Sequence, residues 1–293
     1  MNIDPRTVGA RVRMGTASLT PLEVRVVDTI TGRSGLDMTT SLRALAEEAG
    51  VSDAMIVKIA KKLGFNGFRD LREALVSYQQ SDVASLHSEI SPEDSSADIV
   101  RKVFNTAIQA IEETMSILDM EAFDRASALL HGARQRDFYG LGGSAQIARD
   151  VSHKFLRIGL RSSVFDDTHM MLMSAALLGP EDVVVSFSHS GATSAVLDAT
   201  RLARQNGART IALTNYNNAP ITQIADVVLC STAQGSPLLG ENAAARVAQL
   251  NIMDAIFVSV AQRDFSSAES QLARTMKSVD SKREKQGLSN GKR

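Results

Sequence analysis

Apolar residues in the first 80 positions of the chain recur at the spacing of α-helices. Proline at position 21 suits the first turn of one such helix, because that turn leaves the N–H that proline lacks unpaired. Its apolar face is formed by Leu22, Val26, Val27 and Ile30. The same periodicity predicts further helices over residues 42–49, 53–63 and 67–78.

The pattern changes after residue 96, where helical segments begin to alternate with short apolar runs. Helices are predicted over residues 97–118 and 121–131, and the alternation continues to residue 262. Apolar runs between helices of this length are typical of a parallel sheet that helices cover on both faces. The predicted strands are residues 136–141, 162–165, 183–187, 210–213 and 227–230.

A polar stretch with one proline, QSDVASLHSEISPEDSS, separates the two patterns. We therefore predict an all-α domain over residues 1–80, a linker over 81–96 and an α/β domain over 97–265. Residues 266–293 contain seven Lys or Arg and three Asp or Glu. We interpret them as a basic, flexible tail, and a nucleic-acid-binding arm remains an alternative.

Composition limits the possible classes of protein. The 293 residues carry a net charge of −1 and are 44% hydrophobic, as in an ordered globular protein. The single cysteine, Cys230, excludes a disulfide framework, and the histidines lack metal-ligand spacing, so we expect neither metal nor cofactor. The start of the chain has no signal-peptide core, and no apolar run approaches the ~18 residues of a membrane span. These features predict a cytoplasmic protein.

The segment LRALAEEAGVSDAMIVKIAKKL has the pattern of a helix-turn-helix. Gly50 permits the tight turn between the two helices, and Ala46 is small where they would cross. Ser52 is the expected N-cap of the second helix. With Ile56 and Ile59 buried, the face available to DNA comprises Ser52, Asp53, Ala54, Met55, Val57, Lys58, Lys61 and Lys62. A solvated basic face is the alternative interpretation.

A longer segment, VSDAMIVKIAKKLGFNGFRDLREAL, resembles the amino-terminal domain of the RpiR family of bacterial transcriptional regulators. Lys58 stands where arginine is frequent in that family. Lysine keeps a phosphate contact but lacks the planar fork that binds guanine through two hydrogen bonds.

Two loops in the α/β half follow predicted strands and begin helices. The first, GLGGS, contains Gly142, Gly143 and Ser144, and the second, SHSGAT, contains three hydroxyl groups around Gly191. Open α/β sheets bind ligands beyond the carboxyl ends of their strands. Hydroxyls and free helix amides there suit a phosphate, although a helix cap by Ser190 or Thr193 is the simpler alternative.

These loops resemble those of the SIS, or sugar isomerase, domain, which grip the phosphate of a phosphosugar. The resemblance implies that Ser144, Ser188, Ser190 and Thr193 bind phosphate, that His189 and Gly191 contribute backbone groups, and that Gly142 and Gly143 shape the first loop. The segment from Gly240 resembles the last helix of that domain. It makes Glu241 a candidate for a sugar hydroxyl contact, or else an ordinary first-turn acid.

Together these features predict a non-enzymatic regulator of carbohydrate genes that binds operator DNA under the control of a phosphosugar. A phosphosugar isomerase with an accessory helical domain is the alternative, for which Glu241, His169 and His189 are the available acids and bases. A regulator of another protein is a third possibility. We expect a homodimer or homotetramer, with helices near residues 103–117 and 247–260 as candidate contact surfaces.

Overall fold

The amino-terminal part of the molecule is a helical module. The computed structural model describes residues 5–33, 35–81, 90–233 and 242–280. The helices of the module are α1 (Pro5–Gly15), α2 (Pro21–Gly32), α3 (Leu42–Ala49), α4 (Asp53–Lys62) and α5 (Phe68–Gln79). One apolar core joins them, and its most buried members include Val8, Val26, Leu45, Ile56, Ile59 and Leu75. The predicted face of α2 is confirmed at Val26, Val27 and Ile30 but is wrong at Leu22, which is 41% exposed in the first turn of the helix.

The turn between α3 and α4 has the geometry that the sequence predicts. Gly50 ends α3 with φ +65° in the left-handed region, where a side chain is disfavoured. Ser52 follows as the N-cap of α4, and its side-chain oxygen accepts a hydrogen bond from the backbone N–H of Met55. Both features stabilise the reversal of direction that defines a helix-turn-helix.

The second module is a five-stranded parallel sheet with helices on both faces. The strands are β1 (Arg136–Gly140), β2 (Ser163–Phe165), β3 (Val183–Phe187), β4 (Arg209–Thr214) and β5 (Val227–Cys230). The helices around them are α6 (Ser96–Ile117), α7 (Met120–Gly132), α8 (Gly143–Arg157), α9 (Thr168–Leu177), α10 (Ser194–Gln205), α11 (Asn242–Gln262) and α12 (Phe265–Asp280). The predicted fold class is confirmed.

The strand order β2-β1-β3-β4-β5 positions the binding loops. β1 pairs with β3, although β2 lies between them in the sequence, so the direction of chain progression reverses at this pair. Ligands bind at such a reversal, beyond the carboxyl ends of the strands. The two Gly- and Ser-containing loops follow these two strands and therefore lie side by side.

Each face of the sheet has its own apolar core. Phe138, Val185 and Leu213 face α7, α8 and α11, whereas Tyr139, Val184 and Ala212 face α9 and α10. Strands that are buried on both faces must be apolar at nearly every position. That requirement explains the continuous runs from which the strands were predicted.

Helix α11 combines length and apolar character. Within it, Ala243–Gln262 is long and apolar enough to cross a membrane, although 44% of the tested window is buried inside the protein. The core helix of a globular domain passes the same test. Here Ala248, Ile252, Ile256 and Val260 are buried, and the helix packs against the sheet.

The predicted flexible tail begins in a helix instead. Residues Phe265–Asp280 form α12, in which Ala268 is buried in the core of the second module. Gln271 lies where a Cβ at Gly159 would be, and the Thr275 hydroxyl donates to the carbonyl of Arg157. These contacts with the end of α8 hold the segment in place. The rest of the predicted tail, residues 281–293, lies outside the described residues.

Candidate functional site

The loop after β3 is a tight turn that requires glycine. The Gly191 N–H donates to the Ser188 carbonyl at 3.0 Å, and Gly191 adopts φ +61°. A Cβ at this position would lie 2.4 Å from the Cβ of Ala219 and 2.9 Å from Oγ1 of Thr214. The turn therefore needs both the left-handed backbone and the absence of a side chain.

The hydroxyl groups of this loop do not cap the helix that follows. Thr193 is the N-cap residue of α10 by position, but its side chain makes no capping hydrogen bond. Its Oγ1 instead lies 3.2 Å from Oγ of Ser188, and Ser190 Oγ accepts from the N–H of Ala192 at 3.2 Å. Among the described residues, no side chain caps the first-turn amides of α10, which favours an anion site over a simple cap.

The loop after β1 resembles the loop after β3 in its geometry. Gly142 has φ +55°, and α8 begins at Gly143 without a side-chain cap. The N–H of Ser144 turns back to the Leu141 carbonyl at 3.1 Å, which brings the Ser144 residue to the edge of the sheet. This loop offers a hydroxyl group and the positive end of a helix dipole.

A pocket of about 300 Å³ lies between these two loops and α11. Five predicted ligand-binding residues line it: Gly143, Ser144, His189, Ser190 and Thr193. Ser188, Gly142 and Gly191 do not line it; Ser188 is buried beneath the loop and Gly191 forms the turn. Among the described residues that line the pocket, none is a carboxylate that would repel an anion.

Helix α11 supplies two pocket residues that the sequence analysis missed. Arg246 is exposed and brings a positive charge, and Gln249 is buried one turn further along. The Gln249 amide nitrogen donates to Oδ1 of Asn215 at 3.2 Å and to Oγ of Ser231 at 3.1 Å. Both residues lie on the same face of α11 as Ala245, because Gln249 follows Arg246 by three residues and Ala245 by four. The sequence analysis recognised this helix, and the helical spacing of the three residues would have identified Arg246 and Gln249.

The candidate acids and bases differ in their positions. Glu241 lies outside the described residues. The His189 ring makes an edge contact with Tyr216, with ring centres 5.9 Å apart. His169 is at the start of α9, where its N–H donates to the carboxylate of Asp167 at 3.0 Å, and it does not line the pocket. Asp167 is the N-cap of α9.

The side of α4 that is predicted to face DNA begins with exposed residues. Ser52, Asp53 and Ala54 are exposed at the amino end, whereas Met55 is half-buried and packs against the core of the module. Val57 is half-buried as well, and Lys58 and Lys61 are exposed. A helix end with this exposure can approach the edges of bases in a major groove.

Two lysines of α4 already have a partner within the module. The Lys62 Nζ donates to both carboxylate oxygens of Glu23, at 2.8 and 2.7 Å, and the Lys58 Nζ lies 3.5 Å from the same group. Glu23 also accepts from the Thr20 N–H in a capping box. Hydrogen bonds from Lys62 and Thr20 lower the pKa of Glu23 from 4.5 to about 2.

Comparisons with known protein families match both modules. The profile of the rpiR-family helix-turn-helix domain matches residues 7–82, and that of the SIS domain matches residues 129–259. The HTH-type transcriptional regulator RpiR of Escherichia coli K12 is 44% identical over 92% of this chain and 91% of its own length. An HTH-type transcriptional regulator of Caldanaerobacter subterraneus is 31% identical over 91% of this chain and 94% of its own length.

Solved structures share the fold. The Vibrio vulnificus NanR protein complexed with ManNAc-6P has a TM-score of 0.61 at 23% identity and covers 94% of this chain and 99% of its own. The protein c3406 of E. coli CFT073, in complex with A5P, has a TM-score of 0.55 at 18% identity and covers 62% of this chain and 100% of its own. The c3406 protein is therefore about as long as the α/β module alone.

The curated relatives that cover the whole length are transcriptional regulators, which supports a regulator over an isomerase with an accessory domain. This chain belongs to the RpiR family of helix-turn-helix transcriptional regulators, with a SIS domain as its second module.

Proposed function

We propose that this protein binds operator DNA through α4 and a phosphorylated sugar in the pocket between the β1 and β3 loops, and that the sugar controls DNA binding. The target genes then serve carbohydrate metabolism, and the protein acts in the cytoplasm. The observation that carries the proposal is the meeting of two Gly- and Ser-containing loops at the reversal point of a parallel sheet.

The chemistry of the pocket supports a phosphate ligand. Ser144, Ser190 and Thr193 offer hydroxyl donors, and α10 offers amides without a side-chain cap. Arg246 adds a positive charge from the opposite wall. ManNAc-6P and A5P, the compounds bound to the two structural relatives, make sugar phosphates the first class to test.

For DNA, we propose that Ser52, Asp53, Ala54, Met55 and Val57 approach base edges and that Lys58 and Lys61 bind phosphates, while Lys62 lies on the same side of α4 but stays with Glu23. The exposure of the first turn of α4 supports this placement. Because Lys62 is held by Glu23, Lys61 is the lysine most available for a phosphate. Because the Lys58 side chain is 62% exposed, it can turn from Glu23 to a DNA phosphate.

We further propose that a homodimer forms through α6. Four exposed apolar residues lie along its outer side: Val100, Phe104, Ile108 and Met115. The last three, together with the half-buried Ile111, follow the alternating four- and three-residue steps of a helix-pairing seam. The other predicted surface, α11, has most of its large apolar residues in the core, and Val258 is exposed.

A thermal-shift screen tests the ligand assignment. The panel comprises ManNAc-6P, ribose 5-phosphate, fructose 6-phosphate, their unphosphorylated sugars and inorganic phosphate. A compound at 100 times its dissociation constant stabilises the folded state by about 2.7 kcal/mol, which raises the melting temperature measurably. We expect a shift from at least one phosphosugar and none from the sugars alone.

Two variants then locate the binding site. Ser190→Ala and Ser144→Ala each remove one proposed phosphate donor and should abolish most of the shift. Ser278→Ala is the matched control, because that exposed hydroxyl in α12 bonds only within its own turn. An unchanged shift in both pocket variants would refute the phosphate assignment. Gel shifts on the DNA upstream of the protein's own gene, with and without the best compound, test the regulatory half.

The dimer is tested by light scattering after size-exclusion chromatography. Phe104→Glu places a charge in the proposed seam, where it would be desolvated on pairing, and should yield a monomer. Leu177→Glu is the matched control, because Leu177 is also an exposed apolar residue, on α9, which packs against α10. A dimer that survives Phe104→Glu but not Leu177→Glu would move the interface to α9.

A further inference from the structure

The two modules meet at a crossing of α1 with α5 and α6. α1 belongs to the helix-turn-helix core through Val8 and Val12, yet it also packs against α6 of the second module. Gly9 makes this possible, since a Cβ there would lie 2.6 Å from the Tyr78 ring and 2.9 Å from Oε1 of Glu113. The contact between modules is therefore as close as a packed interior.

Glu113 of α6 is the centre of this contact. The side chain is fully buried and forms an ion pair with Arg13 of α1. Its Oε1 also accepts from the Tyr78 hydroxyl of α5 at 2.9 Å and from the Gln109 amide at 3.0 Å. One buried carboxylate thus joins two helices of the DNA-binding module to the first helix of the other.

The next residue, Thr114, links the same contact to the end of the sheet. Its Oγ1 accepts from the N–H of Thr232 at 3.0 Å and donates to the Thr232 carbonyl at 3.2 Å. The Arg13 Nε donates to Oγ1 of Thr232 at 3.4 Å. Thr232 lies two residues beyond β5, at the same edge of the sheet as the pocket.

From Thr232 the polar contacts continue into the pocket wall. The neighbouring Ser231 hydroxyl donates to Oδ1 of Asn215, and the Gln249 amide donates to both of them. The Asn215 N–H donates to the carbonyl of His189 at 3.0 Å. Gln249 and His189 both line the pocket. We call the set Gln249, Asn215, Ser231, Thr232, Thr114, Arg13 and Glu113, all buried except the half-buried Arg13, the interdomain network.

We propose that the interdomain network couples the pocket to the DNA-binding module. The inference rests on the proposed function, because it assigns the residues through which a phosphosugar alters DNA binding. A ligand that bonds to Gln249 or moves the loop that contains His189 breaks a hydrogen bond of the network. The group that loses its partner then stays unpaired or forms a new hydrogen bond. Unpaired polar groups in a buried site are costly, so the change extends along the set until Arg13 and α1 adjust.

The crossing geometry explains why such an adjustment matters for DNA. Arg13 and Tyr78 lie on the first and last helices of the module that carries α4, so their contacts with Glu113 set the direction of the module. Two modules in a dimer must fit half-sites at a fixed spacing. A small reorientation at Glu113 therefore changes the fit of the pair to its operator.

The experiment measures a coupling factor, the ratio of the DNA dissociation constants with and without saturating phosphosugar. It uses the full chain, labelled DNA from upstream of its own gene, and whichever of ManNAc-6P, ribose 5-phosphate and fructose 6-phosphate binds most tightly. Couplings in regulators are typically about 5- to 150-fold. Thr114→Val removes the hydroxyl that holds Thr232, and Thr232→Val removes only the acceptor of Arg13.

Thr210→Val is the matched control. Thr210 is buried, and its hydroxyl likewise accepts from a backbone N–H and donates to an oxygen, both in Asp226, but at the opposite edge of the sheet. We expect the wild-type factor in this control. We expect a factor within about twofold of 1 in the two network variants, with phosphosugar and DNA affinities each changed less than about threefold.

The outcomes separate the inference from the function on which it rests. Wild-type coupling that persists in both network variants would overturn the inference and leave the proposed function intact. Loss of coupling together with phosphosugar affinity, or equal loss in Thr210→Val, would also overturn it. If Thr114→Val does not fold, Thr232→Val decides, since it keeps both backbone bonds to Thr114. A wild type without coupling would overturn the proposed function and this inference together.

Discussion

The pocket and the DNA-facing side of α4 are both proposed to bind phosphates, yet they hold their polar groups in different ways. In the pocket, α10 begins without a side-chain cap and Arg246 has no ion pair with a described residue. On α4, Ser52 caps the helix, and Lys62 and Lys58 contact Glu23. One region leaves its donors for a ligand, and the other uses most of them within the fold.

This difference has a physical reason. A pocket discriminates a small ligand by groups that become paired only when the ligand binds, so free donors and a glycine turn are kept there despite their cost to stability. A DNA surface acts through many weak phosphate contacts and can share its lysines with internal carboxylates. Substitutions in the pocket should therefore change ligand binding strongly. On α4, some substitutions should change the stability of the fold and others the affinity for DNA.

The largest effect is expected from glycine substitutions that compare the two regions directly. Gly191 and Gly50 have nearly the same φ, +61° and +65°, but only Gly191 is surrounded by other atoms. Gly50→Ala should cost about 1–2 kcal/mol of unfolding free energy for its backbone alone. Gly191→Ala adds about 1–3 kcal/mol for the overlap with Ala219 and Thr214, and should abolish the phosphosugar thermal shift.

Urea unfolding of both variants measures these costs, and the thermal-shift assay measures binding. Gly50→Ala should retain phosphosugar binding, because it lies in the other module. Equal costs for the two substitutions would show that the backbone conformation alone matters. The contrast between a crowded pocket turn and an open helix turn would then fail.

A second prediction concerns the charge of the pocket. Arg246→Met should weaken phosphosugar binding by about 10- to 100-fold, since a hydrogen bond to a charged group is worth about 1.5–3 kcal/mol. Arg201→Met is the control: Arg201 on α10 is exposed and paired with Asp198 three residues earlier. Isothermal titration with the best compound of the screen compares them. Equal affinities in the two variants would remove Arg246 from the site.

Local signals in the sequence were sufficient for much of this architecture. The turn at Gly50, the cap at Ser52 and the strand that precedes Ser188 each follow from residues within one segment. The loops converge because parallel strands share a carboxyl edge, so two separate loops predict one site. These are cases in which local preference and overall fold agree.

Contacts between distant segments could not be predicted in the same way. The partner of Lys62 is Glu23, 39 residues earlier, and Thr114 bonds to Thr232 across 118 residues. The sequence pattern gives no register for such pairs. Helix α12 was missed because Ala268 is its one buried residue, so its pattern resembles that of a solvated segment.

The third prediction tests how Glu23 acts in the helical module. Because its pKa in the folded protein, about 2, lies below its usual 4.5, the carboxylate contributes stability above about pH 4.5. That contribution is lost as the pH falls from about 4.5 towards 2. Glu23→Gln should flatten the acid dependence of unfolding in this range, measured by circular dichroism against pH. An unchanged acid profile would show that the Lys62 contact does not matter for folding.

The smallest expected effect separates the two adjacent lysines of α4. Lys61 is exposed and has no ion pair with a described residue, whereas Lys62 is held by Glu23. If Lys61 contacts a DNA phosphate, Lys61→Gln should lower the slope of log affinity against log salt concentration by about 0.9 and leave stability unchanged. Lys62→Gln should instead lower the melting temperature, because it leaves Glu23 buried without its partner, and keep the slope. Fluorescence anisotropy at four salt concentrations measures both slopes. Slopes lowered equally in the two variants would mean that Lys62 leaves Glu23 to bind the DNA. The difference between paired and available lysines would then hold only in the free protein.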